Sequence, residues 1–343
     1  MIKVAALGAG YFSQFHLDGW RRLEGAKLVG ISDLDAARAA ATGAPVFANL
    51  EQMLAETTPD ILDIIVPPVG HADAIRTGLA ARVKAIICQK PFCTSLDEAR
   101  EMAALAQAHG IPLIIHENFR FQPWYRAIKK AIDAGDIGTP HQCTFRLRPG
   151  DGQGADAYLA RQPYFQKMER FLIHETAVHW VDTFRFLFGD PTAVYADLRR
   201  INPAIAGEDA GVVLFDHPNG VRSVFDGNRH LDHSAQNTRC TMGEGLFEGT
   251  TGTLTLYGDG SVGLRQFGNL NETQIHKANT VANFGGDCTY HLQKHVVNSL
   301  TGDFPLENQA ITYLMVREIE EAIYASARTE MKVKIARNAH DHE

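Results

Sequence analysis

Residues 2–13 read IKVAALGAGYFS, an apolar stretch followed by two closely spaced glycines. Residues 2–7 are apolar with one exception, which is typical of a strand buried on both faces of a sheet. After Gly8 and Gly10, apolar residues recur at helical spacing over residues 12–23. The stretch therefore predicts a strand, a tight turn and a helix whose N-terminus offers free N–H groups to an anion.

The turn has the spacing of a dinucleotide-binding fingerprint, although Ser13 stands in place of its third glycine. Gly8 permits the tight turn, and Gly10 lets the backbone approach a pyrophosphate closely. Ser13 is small, so close packing between helix and strand is retained. We expect these three residues to contact the cofactor, together with Tyr11 and Phe12 between them. Taken alone, the glycine pattern fits an ordinary structural turn equally well.

Asp33 strengthens the cofactor interpretation. It ends the next predicted strand, about 20 residues beyond the turn, where an acid accepts hydrogen bonds from the adenosine ribose. A carboxylate at this point repels a 2′-phosphate, so the sequence predicts NAD rather than NADP. Asp35 competes for the same role, and a solvated aspartate at a strand end is the alternative.

The pattern of the chain changes near residue 120. Before it, short apolar runs alternate with helical patterns, which predicts a doubly wound parallel sheet, a Rossmann α/β domain at residues 1–120. After it, residues 142–148 alternate with a period of two, which predicts a mixed or mainly antiparallel sheet that is open on one face.

This second part is predicted as an α+β domain at residues 121–335, followed by a polar tail at 336–343. Its predicted strands include residues 239–242 and 245–248, and its predicted helices lie at about 123–134, 175–188 and 306–327.

Composition excludes several classes of partner. A formal charge of −7 and a pI of about 6.1 argue against binding nucleic acid or an anionic membrane. We see no apolar run long enough to cross a bilayer and no cleavable leader. The five scattered cysteines form no CxxC pair, which fits reduced thiols better than disulfides or a zinc site. We therefore expect a cytoplasmic protein without a metal centre.

Lys90 is the first catalytic candidate. It follows an apolar strand in Gln89-Lys90-Pro91, at the carboxyl edge where parallel sheets bind ligands. The alternative is a lysine whose stem packs on the surface while its ammonium stays in water.

The second candidate is the run His174-Glu175-Thr176-Ala177-Val178-His179. Its histidines are five residues apart, so on an α-helix they diverge by about 140°, which excludes a zinc site of the HExxH type. Glu175 and His179 are spaced i, i+4 and share a face of an α-helix. That pairing suits a histidine general base oriented by a carboxylate. A buried histidine satisfied by its helix neighbour is the alternative.

Further polar residues are candidates for substrate contacts. Asn118 and Arg120 lie at the predicted domain junction, where Arg120 could equally serve only to join the domains. Arg146 lies on the open face of the predicted sheet. Asp287 and Tyr290 are candidates for binding hydroxyl groups, although a helix N-cap explains Asp287 equally well.

These segments together resemble the glucose–fructose oxidoreductase / inositol dehydrogenase (Gfo/Idh/MocA) family. The motifs that carry the resemblance are Gly8-x-Gly10, Gln89-Lys90-Pro91, Asn118-x-Arg120-Phe121-x-Pro123 and His179-x-x-Asp182. They occur in the family's order and cover nearly the whole chain. The resemblance implies a Rossmann domain followed by a large open-faced sheet that forms homodimers or homotetramers.

The resemblance also implies site roles. The family's catalytic lysine and histidine correspond to Lys90 and His179, and its usual aspartate is Glu175 here. Its Glu-Lys-Pro is Gln-Lys-Pro in this chain, and Pro67-Pro68 replaces the more usual Thr-Pro near the nicotinamide. The resemblance further implies cofactor contacts for four residues: Pro67, Pro68, His71 and Gln89.

The implied activity is the NAD-dependent oxidation of a sugar hydroxyl. His179 removes the hydroxyl proton, Lys90 stabilises the alkoxide and Glu175 orients the base. Residues 174–176 and Gly207-Glu-Asp209 resemble those of a subgroup that oxidises aldoses at C1 to lactones. Within that subgroup the favoured sugar is D-apiose. The resemblance also implies that His174 contacts the substrate. Oxidation of a ring alcohol, as in inositol dehydrogenases, and a non-catalytic NAD sensor are the alternatives.

Overall fold

The computed structural model describes residues 1–280, 283–302 and 304–335, in two units. The first unit contains Met1–Asn118 and also Asp287–Arg317. The second contains Phe119–Gly286 and the chain from Glu318. The sequence predicts that residues 287–317 belong to the second domain, whereas they pack with the first unit. The predicted tail at residues 336–343 lies outside the described residues.

A parallel sheet forms the centre of the first unit. Its strands are β1 (Ile2–Leu7), β2 (Ala26–Ser32), β3 (Ile61–Ile64), β4 (Ala85–Gln89) and β5 (Leu113–His116). Their order is β2-β1-β3-β4-β5, and a parallel bridge from Ile31 to Val46 adds one more position beside β2. With that position counted, the order is that of the Rossmann fold, and it reverses between β1 and β3. The predicted doubly wound sheet is confirmed.

Five α-helices lie within residues 1–118 of this unit, and three of them begin at a side chain that caps the first turn. The five are α1 (Ser13–Arg22), α2 (Ala36–Ala41), α3 (Leu50–Thr57), α4 (His71–Ala80) and α5 (Leu96–His109). Asn49 caps α3 and Ser95 caps α5, each accepting a hydrogen bond from a backbone N–H in the first turn. Asp35 caps α2 in the same way. Asp35, the alternative to Asp33 for the ribose contact, therefore has a structural role.

A second, mainly antiparallel sheet forms the centre of the second unit, as predicted. Its strands are β6 (Pro140–Leu147), β7 (Ala193–Arg199), β8 (Ala210–Asp216), β9 (Arg222–Asn228), β10 (Gly243–Gly249), β11 (Gly252–Leu256), β12 (Val262–Gln266), β13 (Thr273–His276) and β14 (Val333–Lys334). The order is β13-β12-β11-β10-β6-β9-β8-β7-β14. Strands β6 and β9 pair in parallel, and the other neighbouring pairs for which a register is known are antiparallel.

One face of this sheet is packed and the other is open. The helices of this part are α6 (Pro123–Asp133), α7 (Val178–Phe188) and α9 (Ala310–Thr329), the last shared between the two units. Trp180 of α7 lies against Phe145 and Phe225 of the sheet, at ring separations of 4.5 and 5.6 Å. Arg146, Val212 and Leu246 point from the opposite face and are exposed.

Outside the candidate site, three elements differ from the sequence-based expectations. Residues 239–242 form a turn rather than a strand, since Met242 has a φ of +60° and β10 begins only at Gly243. Strand β13 and helix α8 (Cys288–Thr301) have no counterpart in the prediction. Helix α8 packs against α1, and such packing, rather than intrinsic propensity, provides most of a helix's stability.

Within the described residues, no helix has both the length and the hydropathy that a bilayer span requires.

Candidate active site

The glycine turn at the end of β1 is built for a close approach. Gly8 has a φ of +107°, and a Cβ there would lie 2.9 Å from the carbonyl carbon of Ile65. Ser13 closes the turn by donating from both its backbone N–H and its hydroxyl to the carbonyl of Gly10. A Cβ at Gly10 would meet no atom of the described residues within 4 Å. The backbone at Gly10 is thus open to a ligand at the N-terminus of α1, which fits the pyrophosphate of a dinucleotide.

Asp33 is tied to this turn. Its carboxylate accepts hydrogen bonds from the backbone N–H groups of Ala9 (2.6 Å) and Asp35 (2.7 Å). Each carboxylate oxygen has a further lone pair for a ribose hydroxyl. A cleft of about 450 Å³ adjoins the turn, and its lining includes Gly10, Tyr11, Ser13, Arg21 and Arg38. Its size is within the range of small-ligand sites.

The other predicted nicotinamide-side residues follow the neighbouring strand. Ile65 donates its backbone N–H to the carbonyl of Leu7, so Pro67 and Pro68 come after β3 at the same edge of the sheet as Gly8. Pro67 is exposed and Pro68 begins a 3₁₀ turn. Phe12 lies deeper, with its ring 5.7 Å from that of His16.

His71 does not fit a cofactor contact, which corrects the prediction. Its side chain is fully buried, Nε2 donates to the carbonyl of Val66, and Nδ1 accepts from the backbone N–H of Cys93. Burial lowers the pKa of this imidazole to about 4. His71 therefore holds two loops of the first unit together as a neutral ring.

Lys90 follows β4 at the carboxyl edge of the sheet and is half-buried. Gln89 points into the unit: its side chain is buried, and its Oε1 accepts the backbone N–H of Lys90 at 2.9 Å. The amide oxygen of Gln89, predicted to contact the cofactor, instead binds the backbone of Lys90.

The segment before α7 is a π-helix rather than the start of an α-helix. It spans Leu172–Ala177, and α7 begins only at Val178. A π-helix bonds i to i+5 and carries more residues per turn, so the α-helical angles expected between Glu175 and His179 do not apply. Glu175 accepts from the hydroxyl of Thr176 at 2.7 Å, and its Oε2 lies 3.9 Å from Nη1 of Arg229.

Residues distant in the chain hold this π-helix. Glu208 Oε1 accepts the backbone N–H groups of Phe171 and Ile173, both at 3.1 Å. The hydroxyl of Tyr324 donates to the same oxygen at 2.6 Å, and burial together with Glu208 raises the pKa of Tyr324. His174 Nδ1 donates at 2.5 Å to Glu320, whose side chain is fully buried. The predicted substrate contact of His174 would therefore be made by its Nε2.

His179 is held by an aromatic residue that sequence reasoning missed. Its imidazole stacks on Phe119 with the ring centroids 3.9 Å apart and the planes 3° from parallel. Thr183 donates its hydroxyl to the carbonyl of His179 at 2.8 Å. Phe119 lies inside the Asn118-x-Arg120 motif, but an aromatic residue in sequence is indistinguishable from an ordinary core residue.

Arg229 is a second residue that the sequence did not single out. It is fully buried and forms two hydrogen bonds with Asp151, at 2.9 and 3.1 Å, while Nη1 donates to the hydroxyl of Thr176 at 2.6 Å. Burial alone would lower the pKa of this guanidinium, but Asp151, Tyr158 and Glu175 together raise it. A fixed positive charge thus stands beside Glu175.

Arg120 and Asn118 have structural partners, and their predicted substrate contacts stay predictions. Arg120 binds Asp182 through two hydrogen bonds of 2.6 and 2.7 Å, in a pair whose carboxylate is 1% exposed. This explains Asp182 in the His179-x-x-Asp182 motif. Asn118 is buried and donates to the hydroxyl of Thr289 at 3.3 Å.

Asp287 and Tyr290, whose predicted hydroxyl contacts stay predictions, form a cluster with Arg22. Asp287 precedes α8 but makes no side-chain cap; it binds both terminal nitrogens of Arg22 instead. The guanidinium of Arg22 lies 4.7 Å above the ring of Tyr290. Arg22 ends α1, about 14 Å along the helix axis from Ser13, so this cluster is remote from the glycine turn. Arg146 remains an exposed residue of the open sheet face.

Two family models match the chain. Residues 2–117 match the oxidoreductase family with the NAD-binding Rossmann fold (Gfo/Idh/MocA), and residues 125–255 match the Gfo/Idh/MocA C-terminal domain.

Individual relatives give the same result. A D-apiose dehydrogenase of Paraburkholderia graminis is 37% identical over 75% of this chain and 68% of its own length. A second D-apiose dehydrogenase, from Rhizobium rhizogenes, is 34% identical over 66% of this chain and 65% of its own length. A crystal structure of an oxidoreductase from Agrobacterium radiobacter in complex with NAD⁺, L-tartaric acid and magnesium has a TM-score of 0.88 at 27% identity, over 97% of this chain and 98% of that one.

Proposed function

Because this chain belongs to the Gfo/Idh/MocA family of NAD-binding oxidoreductases, we propose that it oxidises an aldose at C1 with NAD and releases a lactone. D-Apiose is the sugar we favour, since two relatives at 37% and 34% identity carry the name D-apiose dehydrogenase. The observation that carries the proposal is the arrangement of His179, stacked on Phe119 directly after a π-helix that presents Glu175. Helical distortions of this kind are frequent at functional sites.

The proposed chemistry divides between proton and hydride. NAD, when bound, supplies the hydride acceptor. His179 accepts the proton of the C1 hydroxyl, and the C1–H bond breaks as the C1=O bond forms. The ammonium of Lys90 stabilises the negative charge that develops on the sugar oxygen. General-base assistance of this type contributes about 10²–10⁴ in rate.

The second unit supplies the groups that orient the base. Stacking on Phe119 restricts the imidazole to one plane. Arg229 and Thr176 hold the carboxylate of Glu175, so that this anion has a defined position in the π-helix. We propose that Glu175 favours the protonated form of His179 after proton transfer, and that Nε2 of His174 binds a sugar hydroxyl.

A substrate panel tests the reaction. Purified protein with NAD is incubated with pentoses, hexoses and cyclitols, and NADH is followed by its absorbance. We expect NADH with aldoses, with D-apiose the most efficient, and a product that hydroxylamine traps as a lactone-derived hydroxamate. His179→Ala and Lys90→Met should each lower kcat by about 10²–10⁴ while NAD affinity stays within about twofold.

The alternatives are distinct outcomes of the same panel. NADH from cyclitols and not from aldoses would replace the proposal with the oxidation of a ring alcohol to a ketone. No NADH from any compound, with NAD still bound, would favour a sensor. Near-normal turnover in His179→Ala or Lys90→Met would contradict the residue roles.

We also propose that the open face of the second sheet, with its exposed Val212 and Leu246, forms the contact of a homodimer or homotetramer. Light scattering on the wild type and on Val212→Lys tests this. A monomeric wild type would contradict it.

A further inference from the structure

Three polar side chains form a hydrogen-bonded line in the core of the first unit. They come from α1, β3 and β4: His16, Asp63 and Gln89. His16 Nδ1 lies 2.8 Å from Asp63 Oδ2, and His16 Nε2 lies 2.9 Å from Gln89 Nε2. The other end of the Gln89 amide, Oε1, is 2.9 Å from the backbone nitrogen of Lys90. We call these three side chains the buried polar line.

The direction of each hydrogen bond follows from the Lys90 end. A backbone N–H can only donate, so the atom of Gln89 that faces Lys90 is the amide oxygen and the one that faces His16 is the NH₂ group. That NH₂ group donates to His16 Nε2, which therefore carries no proton. The proton of the neutral ring is then on Nδ1, from which it is donated to Asp63.

The far end of the line is an expensive group to bury. Asp63 is fully buried in β3, among Ile61, Leu62 and Ile64. Its Oδ2 also accepts from Trp20 Nε1 at 2.7 Å, but Oδ1 has no hydrogen-bond partner among the residues that the structure describes. A carboxylate in such a strand costs more than an apolar residue of similar volume. It therefore calls for a purpose other than stability.

We propose that the buried polar line positions Lys90. Asp63 fixes the tautomer and the ring orientation of His16, His16 fixes the Gln89 amide, and Gln89 holds the backbone from which the Lys90 side chain extends. His16, Asp63 and Gln89 are positioning residues in this scheme. The inference rests on the proposed function in one respect only, the catalytic role of Lys90.

The second ring beside the line supports an ordered rather than a loose arrangement. His116 lies with its ring centroid 4.0 Å from that of His16 and with Nδ1 3.4 Å from Gln89 Nε2. Gln293 donates to the backbone carbonyl of His16 at 3.0 Å. The amide of Gln89 is thus constrained on both hydrogens and on its oxygen.

Two variants of Gln89 separate the contacts. Gln89→Leu removes both the acceptor for Lys90 and the donor to His16, and it should lower kcat about 10- to 100-fold, with sugar KM and NAD affinity within about twofold. Gln89→Glu, when ionised, retains the acceptor for Lys90 but has no hydrogen to donate, so His16 then takes up a second proton to bridge Asp63 and Glu. This variant should recover kcat to within about fivefold of the wild type. Gln107→Leu, on the exposed side of α5, is the matched control and should change nothing.

A double-mutant cycle distinguishes positioning from general damage. If Gln89 acts through Lys90, Gln89→Leu has no further effect on turnover in the Lys90→Met background. The same loss in both backgrounds would overturn the inference. Normal turnover in Lys90→Met alone would instead overturn the proposed function of Lys90, so the two failures are distinguishable.

The tautomer of His16 is a readout that needs no sugar. In protein with ¹⁵N-labelled histidine, the resonances of His16 are identified as those lost in His16→Asn. We expect one protonated and one unprotonated ring nitrogen in the wild type, with the proton on Nδ1, and two protonated nitrogens in Gln89→Glu. A wild-type ring with its proton on Nε2 would contradict the proposed direction of the line.

Discussion

The buried histidine His71 should make the stability of the protein depend on pH. Its pKa is lowered from 6.5 to about 4 because the ring is desolvated, whereas in the unfolded chain it returns to the ordinary value. Between these values the unfolded state binds a proton that the folded state does not. The free energy of unfolding therefore falls as the pH is lowered through 6.5 toward 4, and this group leaves it unchanged above about pH 7.

The size of the effect follows from the shift. A difference of about 2.5 pKa units corresponds to about 3 kcal/mol in full, of which about 2 kcal/mol is lost between pH 7.5 and pH 5. His71→Gln cannot take up the proton and retains a donor for the carbonyl of Val66. The variant should be less stable than the wild type at pH 7.5. Its free energy of unfolding should, however, fall by about 2 kcal/mol less between pH 7.5 and pH 5, because it has no imidazole to protonate.

Urea unfolding at a series of pH values measures this directly. His217, whose pKa burial also lowers, contributes a slope to both proteins, so the difference between the two curves is the quantity of interest. His141→Gln, at an exposed position of β6, is the control and should follow the wild type. Parallel curves for the wild type and His71→Gln would refute the reasoning.

Four further substitutions test the site and its supports. Gly10→Ala should leave the thermal midpoint within about 2 °C but lower NAD affinity at least about tenfold by calorimetry, whereas Gly8→Ala, at a φ of +107°, should lower both. Arg120→Met removes both hydrogen bonds from Arg120 to the buried carboxylate of Asp182, which keeps Arg185 Nη1 at 3.9 Å, and should cost about 1.5–3 kcal/mol in urea unfolding; a loss below about 0.5 kcal/mol would contradict the burial of the pair. Asp33→Asn should raise the affinity for NADP relative to NAD in fluorescence titrations, and an unchanged ratio would remove Asp33 from the ribose site.

The sheets were predictable because the burial of a strand determines the pattern of apolar residues in its own sequence. Strands covered on both faces are mainly apolar, and a strand covered on one face alternates, as in β6. Turns set by side chains are harder: Met242 takes a positive φ where Thr241 bonds the carbonyls of Gly243 and Gly258, and no periodicity records that contact. The boundary at residues 287–317 was missed for a similar reason, since α8 belongs to the first unit through its packing on α1.

The π-helix marks the limit for the candidate site. The same sequence can form an α-helix or a π-helix, and the two differ in the register of their backbone hydrogen bonds. Here Glu208 and Tyr324 hold that register at the backbone of residues 171–174, from positions far along the chain. Sequence reasoning therefore proposed Glu175 and His179 as site residues but expected the geometry of an α-helix between them.

Asp63 shows what the sequence could have offered beyond the motifs. A carboxylate in the middle of an apolar parallel strand needs a partner, because an unpaired buried charge is not tolerated. The topology places β3 between β1 and β4, so the partner has to come from those strands or from the helix that follows β1. His16, on that helix, is this partner, and Gln89 of the Gln89-Lys90-Pro91 motif binds the other side of its ring; His16 and Asp63 themselves belong to none of the motifs. A misplaced polar residue in a core strand is thus a sequence signal for the residues that hold a catalytic group, complementary to the motif that contains the group itself.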